Sequence, residues 1–214
     1  IGAATAKVLA KAGANVTVCA RNTEALNELC DELSTLGNGS HTALTLDLEN
    51  TEAIRPALDA LISVKGVIHI LINNAAGPKG GPLLGVELSD LEAPFKRHLH
   101  AAHTMVQSVV SGMEAEGYGR IVQIISTSVK EPIPNLGLSN TLRGAMASWS
   151  KTLSRELPAC ITINNVLPGF TNTNRLKSLI AKKVEVQGKS AEEIAKAMKS
   201  EVPASRFGEA SEVA

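Results

Sequence analysis

Ser126, Ser139 and Arg143, spaced thirteen and then four residues apart, are the first side chains in this sequence that could do chemistry together. Ser126 closes the apolar run 121–125; a loop bearing Pro and Gly follows, and a helix-periodic segment begins at 139. A short apolar run between turn residues predicts a buried strand, and the longer 3.6-periodic segment predicts a helix. Ser126 then sits where a central strand ends, the edge at which open α/β sheets bind ligands. A serine hydroxyl there can donate to or accept from a bound molecule, and a guanidinium adds fixed positive charge and donors only. Three histidines, His98, His100 and His103, invite a metal reading. Only His100 and His103 share a helix face, no carboxylate or cysteine pattern completes a set, and no metal is expected.

The elements that must position these residues alternate along the chain. A helical pattern opens at Ile1 and ends at Gly13, a strand is predicted over 15–20, and a helix over 23–36 starts from Thr23 as its cap. Strands follow over 42–48, 67–72, 121–125 and 161–167. Helices are predicted over 51–64, kinked or late-starting at Pro56, over 89–116 from Ser89 with a kink near Pro94, and over 139–157. Two helical pieces flank Gln187-Gly188 within 174–200. Strands alternating with helices predict one Rossmann-type, doubly wound, three-layer α/β domain over 1–214, with a parallel sheet covered on both faces. In a dinucleotide fold an acidic residue after the second strand holds the ribose hydroxyls, whereas an arginine accommodates a 2′-phosphate. Here Arg21 follows 15–20 and no acid stands there. NADP is therefore favoured, with NAD second; a solvated arginine at a strand end is the alternative.

Lys plus Arg equals Asp plus Glu at 21 each, so no overall field draws the chain to nucleic acid or to an anionic membrane. Aromatic residues are 2% of the chain, too few for base-stacking platforms. No apolar run approaches the length of a transmembrane helix and no signal-peptide pattern is present. Cys19, Cys30 and Cys160 are odd in number and scattered, which fits reduced thiols in a cytoplasmic protein.

Several stretches resemble the short-chain dehydrogenase/reductase family, most closely its 3-oxoacyl-acyl-carrier-protein reductase branch. Asn73-Asn74-Ala75-Ala76-Gly77 is similar to the NNAG string after the fourth strand, with one extra Ala, and Pro168-Gly169-Phe170-Thr171-Asn172-Thr173 is similar to PGxxxT. Ile1-Gly2 resembles the end of a TGxxxGIG loop. The resemblance implies cofactor contacts from Gly2 (phosphate), Asp47 (adenine), Asn73, Asn74 and Ala75 (adenosine), Arg143 (nicotinamide ribose), and Pro168, Gly169 and Thr173 (nicotinamide carboxamide and phosphate). Segment 174–205 would be a substrate lid. Ser126 matches the catalytic serine, but Ser139 stands where the family has Tyr, Arg143 where it has Lys, and His98 where a catalytic Asn is usual. A phenol titrates near ~10 and an aliphatic hydroxyl nearer water's ~15.7. A positioned general acid is worth roughly 10²- to 10⁴-fold. The sole tyrosine, Tyr118, precedes its strand at the far end.

What the resemblance implies is an NADP-dependent reductase of a small-molecule or acyl-thioester carbonyl, using an altered or water-relayed proton donor such as His98. The alternative is a nucleotide-binding pseudoenzyme serving as a subunit or sensor. It also implies a homodimer or homotetramer built on the helices 89–116 and 139–157. By the family pattern the first strand and the last helix and strand lie outside these residues. The 214 residues are then expected to be a fragment that, with two strand edges bare, would not fold cooperatively by itself.

Overall fold

The computed structural model describes residues Ile1–Ala214. The chain enters through α1 (Gly2–Lys11), which buries Ala6 and Ala10 and is closed by Gly13 at φ 86°, a left-handed conformation free of cost only for glycine. β1 (Val16–Ala20), α2 (Thr23–Ser34), β2 (His41–Thr45), α3 (Thr51–Lys65) and β3 (Ile70–Asn73) follow in strict alternation. Asn22, not Thr23, caps α2: its Oδ1 accepts from the Ala25 N–H at 3.1 Å. An asparagine in extended backbone one residue upstream satisfies the same orphan donors, which is why the boundary shifts. α3 runs unbroken through Pro56, forgoing one backbone hydrogen bond while Ile54 and Leu58 hold its inner face in the core.

The predicted helix over 89–116 is instead α4 (Leu88–Phe95), a π-helical turn (Lys96–His100) and α5 (Ala101–Ala115). Glu87 rather than Ser89 caps α4, in a reciprocal pair with Asp90. Pro94 offers no N–H to the Asp90 carbonyl and its ring crowds that turn, so the helix takes up an extra residue immediately afterwards. His98 lies inside the widened turn and is buried. β4 (Gly119–Ile124), a 3₁₀ turn (Thr127–Val129), α6 (Gly137–Leu153), β5 (Ile161–Val166), α7 (Asn174–Gln187), α8 (Ala191–Ser200) and α9 (Ala210–Val213) complete the chain.

The α/β class and the parallel pairing are as expected, and the strands form two sheets, β1–β2 and β3–β4–β5. Between them lies a cavity of about 1160 Å³ whose walls include Val16 and Val18 of β1 and Leu71 and Asn73 of β3. On one face of the larger sheet Leu71, Ile121 and Ile163 stand opposite one another and pack beneath Val109 and Met113 of α5. One pleat nearer the strand ends the same face carries Asn73, Gln123 and Asn165 in register. The apolar rows therefore anchor the sheet, and the amide row begins the polar edge.

The loop over 78–87 is stitched to the start of α6. Gly81 N–H donates to the Asn135 carbonyl at 2.7 Å, and Gly137 N–H to the Gly81 carbonyl at 3.0 Å. A β-carbon on Gly137 would lie 2.6 Å from the Leu83 backbone nitrogen, which cannot yield as a flexible side chain would. Gly137→Ala should thus overpack this seam by about 1–3 kcal/mol, lowering Tm by roughly 2–12 °C. Gly85→Ala, where nothing lies within 4 Å, should leave Tm within about 1 °C. Thermal scans of both variants check the contrast.

Candidate active site

Parallel strands send their carboxyl ends to one edge, and the candidate residues gather there. Arg21 follows β1, Asp47 follows β2, Asn73 to Ala75 end β3, Ser126 follows β4, and Pro168 to Thr173 follow β5. Leu48, beyond β2, lines the same small cavity of about 20 Å³ as Asn73, Asn74, Ala75, His98, Gln123 and Arg143, so the ends of the two sheets meet. Arg21 is exposed. Asp47 is also exposed, and its Oδ1 accepts from the Glu49 N–H at 3.0 Å, an Asx turn that leaves the second oxygen free.

Ser126 is the extended residue that caps the 3₁₀ turn: its Oγ accepts from the Ser128 N–H at 3.1 Å, so its own proton can be donated outward. Ser139 lies in the first turn of α6, with no side-chain hydrogen bond to the protein. Beside it Asn140 grips the preceding loop, donating to the Ile133 carbonyl at 2.9 Å. One turn further Arg143 is buried at 8% exposure. Its Nη1 donates to the Ile124 carbonyl at 3.0 Å and its Nη2 to the Ala75 carbonyl at 3.5 Å, which clamps the ends of β4 and β3.

His98 completes the group from the π turn. Its Nε2 lies 2.9 Å from the Ala76 carbonyl, which only accepts, so Nε2 carries the proton and Nδ1 faces Arg143 Nη1 at 3.5 Å. Burial first, then the Arg143 charge, push its pKa down to about 4, and the ring is neutral near pH 7. Both nitrogens are therefore engaged within the protein. Arg143 is lowered to about 10, first by burial and then by the charge of Arg175. His100 is exposed, His103 accepts from Trp149 Nε1 at 3.3 Å, and no three His, Cys, Asp or Glu side chains converge on a metal-sized site.

Three further residues belong to this edge without a motif to announce them. Arg97 of the π turn pairs with Glu49 and donates to the Ala76 carbonyl at 3.2 Å, pinning the loop after β3. Arg175 of α7 donates to the Pro78 carbonyl at 2.5 Å. Gln123 is fully buried with neither end of its amide hydrogen-bonded, and Asn73 Nδ2 and Asn165 Oδ1 beside it are likewise unpartnered. In Gln123 the only signal was a polar residue inside an apolar strand run; Arg97 and Arg175 gave none. Thr173 caps α7, accepting from the Leu176 N–H at 3.5 Å. α7 and α8 share a small core of Leu176, Ile194 and Met198, packed on Phe170 and Phe207.

The residues expected to hold a dinucleotide fit one. α1 opens with Gly2 in its first turn. Gly2 there approaches Asn74 so closely that a β-carbon would lie 2.7 Å from Asn74 Nδ2. The orphaned Asn73 Nδ2 adds an unused donor on the same loop.

The short chain dehydrogenase family model matches residues 1–184. The 3-oxoacyl-acyl-carrier-protein reductase of Aquifex aeolicus is 29% identical over 217 residues, covering 100% of this chain and 82% of its own. A single-residue variant of the actinorhodin polyketide ketoreductase, solved with NADPH, superposes with a TM-score of 0.88 at 26% identity over 99% of this chain and 82% of that one. L-sorbose reductase from Gluconobacter frateurii, solved with NADPH and L-sorbose, superposes with a TM-score of 0.90 at 23% identity over 98% of this chain and 81% of that one, a likeness of fold. With the family motifs on its strand ends and the family model spanning most of its length, the chain belongs to the short chain dehydrogenases, a family of oxidoreductases.

Proposed function

We propose that the protein is an NADP-dependent reductase of a 3-oxoacyl-like carbonyl compound that uses a non-standard proton route. The observation that carries the reading is the gathering of Arg21, Asn73 to Ala75, Ser126, Arg143 and Thr173 at one strand edge beside the first turn of α1. The ketoreductase superposition, to an NADPH-bound protein, supports NADP, and the Aquifex relative supports the acyl carbonyl. Gly2 and the α1 N-terminus would hold the diphosphate, Arg21 the 2′-phosphate, Asp47 the adenine, Asn73, Asn74 and Ala75 the adenosine, and Pro168, Gly169 and Thr173 the nicotinamide end. When bound, the reduced nicotinamide supplies a hydride.

The chain's own residues do the rest. Ser126, its Oγ already accepting from Ser128, donates a hydrogen bond to the carbonyl oxygen and orients it while keeping its proton. Arg143 sets fixed positive charge where alkoxide charge develops. Ser139 passes the one proton the reduction needs to the carbonyl oxygen as the hydride arrives and takes one from water in the same step, because its own acidity is too weak to serve alone. His98, neutral and tied to Ala76 and Arg143, holds the guanidinium in place and takes no direct part in delivering the proton. The segment 174–205 closes over the substrate, and a homo-oligomer assembles through α5 and α6. A second reading, a nucleotide-binding subunit or sensor without turnover, is favoured by one feature: a serine at the proton-donor position.

NADPH should bind at least about tenfold tighter than NADH, since a charge-assisted contact is worth ~1.5–3 kcal/mol. Arg21→Ala should shrink that gap and leave NADH binding nearly unchanged; equal affinities in the parent would make Arg21 a solvated surface residue. Fluorescence titration measures both.

Ser139→Tyr with Arg143→Lys should raise NADPH oxidation with the neutral ketone ethyl acetoacetate by about tenfold or more, the double variant exceeding either single one. Absence of turnover in all four proteins despite tight NADPH binding would establish the sensor reading instead.

His98 also sets a pH dependence. The unfolded ring protonates below about 6.5 and the folded ring only near 4, so stability is full above pH 6.5 and is lost as the pH falls towards 4. The loss should reach up to ~3 kcal/mol, and His98→Gln should flatten it in denaturant titrations at pH 7 and pH 4.5.

A further inference from the structure

Arg143 and Arg175 face the same glycine with no acid between them. A β-carbon on Gly77 would lie 3.6 Å from Arg143 Nη2, 3.8 Å from Arg175 Nη2 and 4.0 Å from Arg175 Nε. Every partner of Arg143 is neutral: the Ile124 and Ala75 carbonyls and the unprotonated Nδ1 of His98. Arg175 has the Pro78 carbonyl alone, through Nη2, and its Nε and Nη1 donate to nothing in the protein. The ion pairs of the molecule are Lys7–Glu32, Arg97–Glu49, Lys182–Glu185 and Arg206–Glu212, and neither arginine takes part. Two like charges converging beside a neutral loop repel each other, and Arg175 is one of the two causes that lower the Arg143 pKa. Such an arrangement is relieved by an anion bound between the forks, because a planar guanidinium matches an oxyanion bidentately.

The position selects the source of that anion. The α1 N-terminus and Gly2, which suit a diphosphate, lie against Asn74. The arginine pair lies further along the same loop, where Pro78 meets α7; the exposed Leu83 and Leu84 come later in that loop and the exposed Leu88 opens α4. Arg175 is exposed and can meet a ligand arriving from solvent, whereas Arg143 is buried beside the reacting edge. We propose that Arg143 and Arg175 form an oxyanion subsite over Gly77 and that the carbonyl substrate carries a carboxylate held by this pair. Leu83, Leu84 and Leu88 then offer an apolar surface to the rest of the molecule. The inference rests on the reductase reading for the word substrate, but the subsite itself can be tested without turnover.

The probes are acetoacetate and its neutral ethyl ester, titrated calorimetrically into the protein with and without NADP⁺ and assayed with NADPH, for the parent, Arg175→Met and Arg175→Lys. NADPH affinity is measured separately by fluorescence. The parent should bind acetoacetate at least about tenfold tighter than the ester, as one charge-assisted contact predicts. Arg175→Met should erase that difference and cut kcat/KM for the acid by roughly 10- to 100-fold, with the ester and the NADPH Kd changed less than about threefold. Arg175→Lys, which keeps the charge but loses the fork, should recover part of the loss. Equal binding of acid and ester by the parent would overturn the subsite. A tenfold or greater loss of NADPH affinity in Arg175→Met, with the acid preference intact, would overturn it in favour of a cofactor phosphate. If no NADPH bound at all, the reductase reading would fall, and the acetoacetate titration without cofactor would still decide the subsite.

Discussion

The active edge depends on one buried cation. Burying an ion without a partner costs several kcal/mol even after relaxation, and Arg143 has no carboxylate near it. Its charge is offset instead by the carbonyls of Ile124 and Ala75 and by the lone pair of a neutral histidine. Those carbonyls are the free C=O groups at the ends of β4 and β3, where the sheet ladder stops and acceptors become available. The guanidinium therefore fixes the separation of two strand ends, the tautomer of His98 and the course of the loop through Gly77. Its planar fork reaches both strand ends through two separate nitrogens.

Holding a neutral histidine against that cation requires the helix between Leu88 and Ala115 to deviate. Pro94 removes one hydrogen bond, and the π turn that follows carries both His98 and Arg97 towards the strand ends. Arg97 pairs with Glu49 and reaches the Ala76 carbonyl, while His98 takes the same carbonyl from its ring nitrogen. One carbonyl thus receives two donors from one turn, and the loop after β3 is held from below as Arg143 holds it from the side. The irregular helix is part of the site's construction, as π turns near ligand-binding residues often are.

The amide row lies where buried polar groups begin to be tolerated. Asn73, Gln123 and Asn165 occupy the last inward positions of three adjacent strands, directly after an apolar row that α5 covers. They are close enough to the ligand edge to serve it and too deep for bulk water, so their unpaired amides stand out.

Composition and periodicity determined the architecture, because the alternation of short apolar runs with longer 3.6-periodic segments is a local property that survives without knowing any contact. The same holds for the strand-end motifs at Asn73–Ala75, Ser126 and Pro168–Thr173, and for Gly13, where a left-handed closing residue is written in the residue type. The helix caps were legible only to within a residue or two, since Asn22 and Thr23, or Glu87 and Ser89, can satisfy the same donors and packing chooses between them. What only the tertiary structure decided was which distant groups share space. Arg175 and Arg143 carry no spacing that links them, and they meet because α7 leaves the end of β5 and docks on the loop after β3. His98 looked like one of three helical histidines; its burial, tautomer and low pKa come from a π turn and from a charge contributed by α6. Local sequence encodes elements and motifs, whereas electrostatics at a site is a sum over neighbours from every element that reaches it.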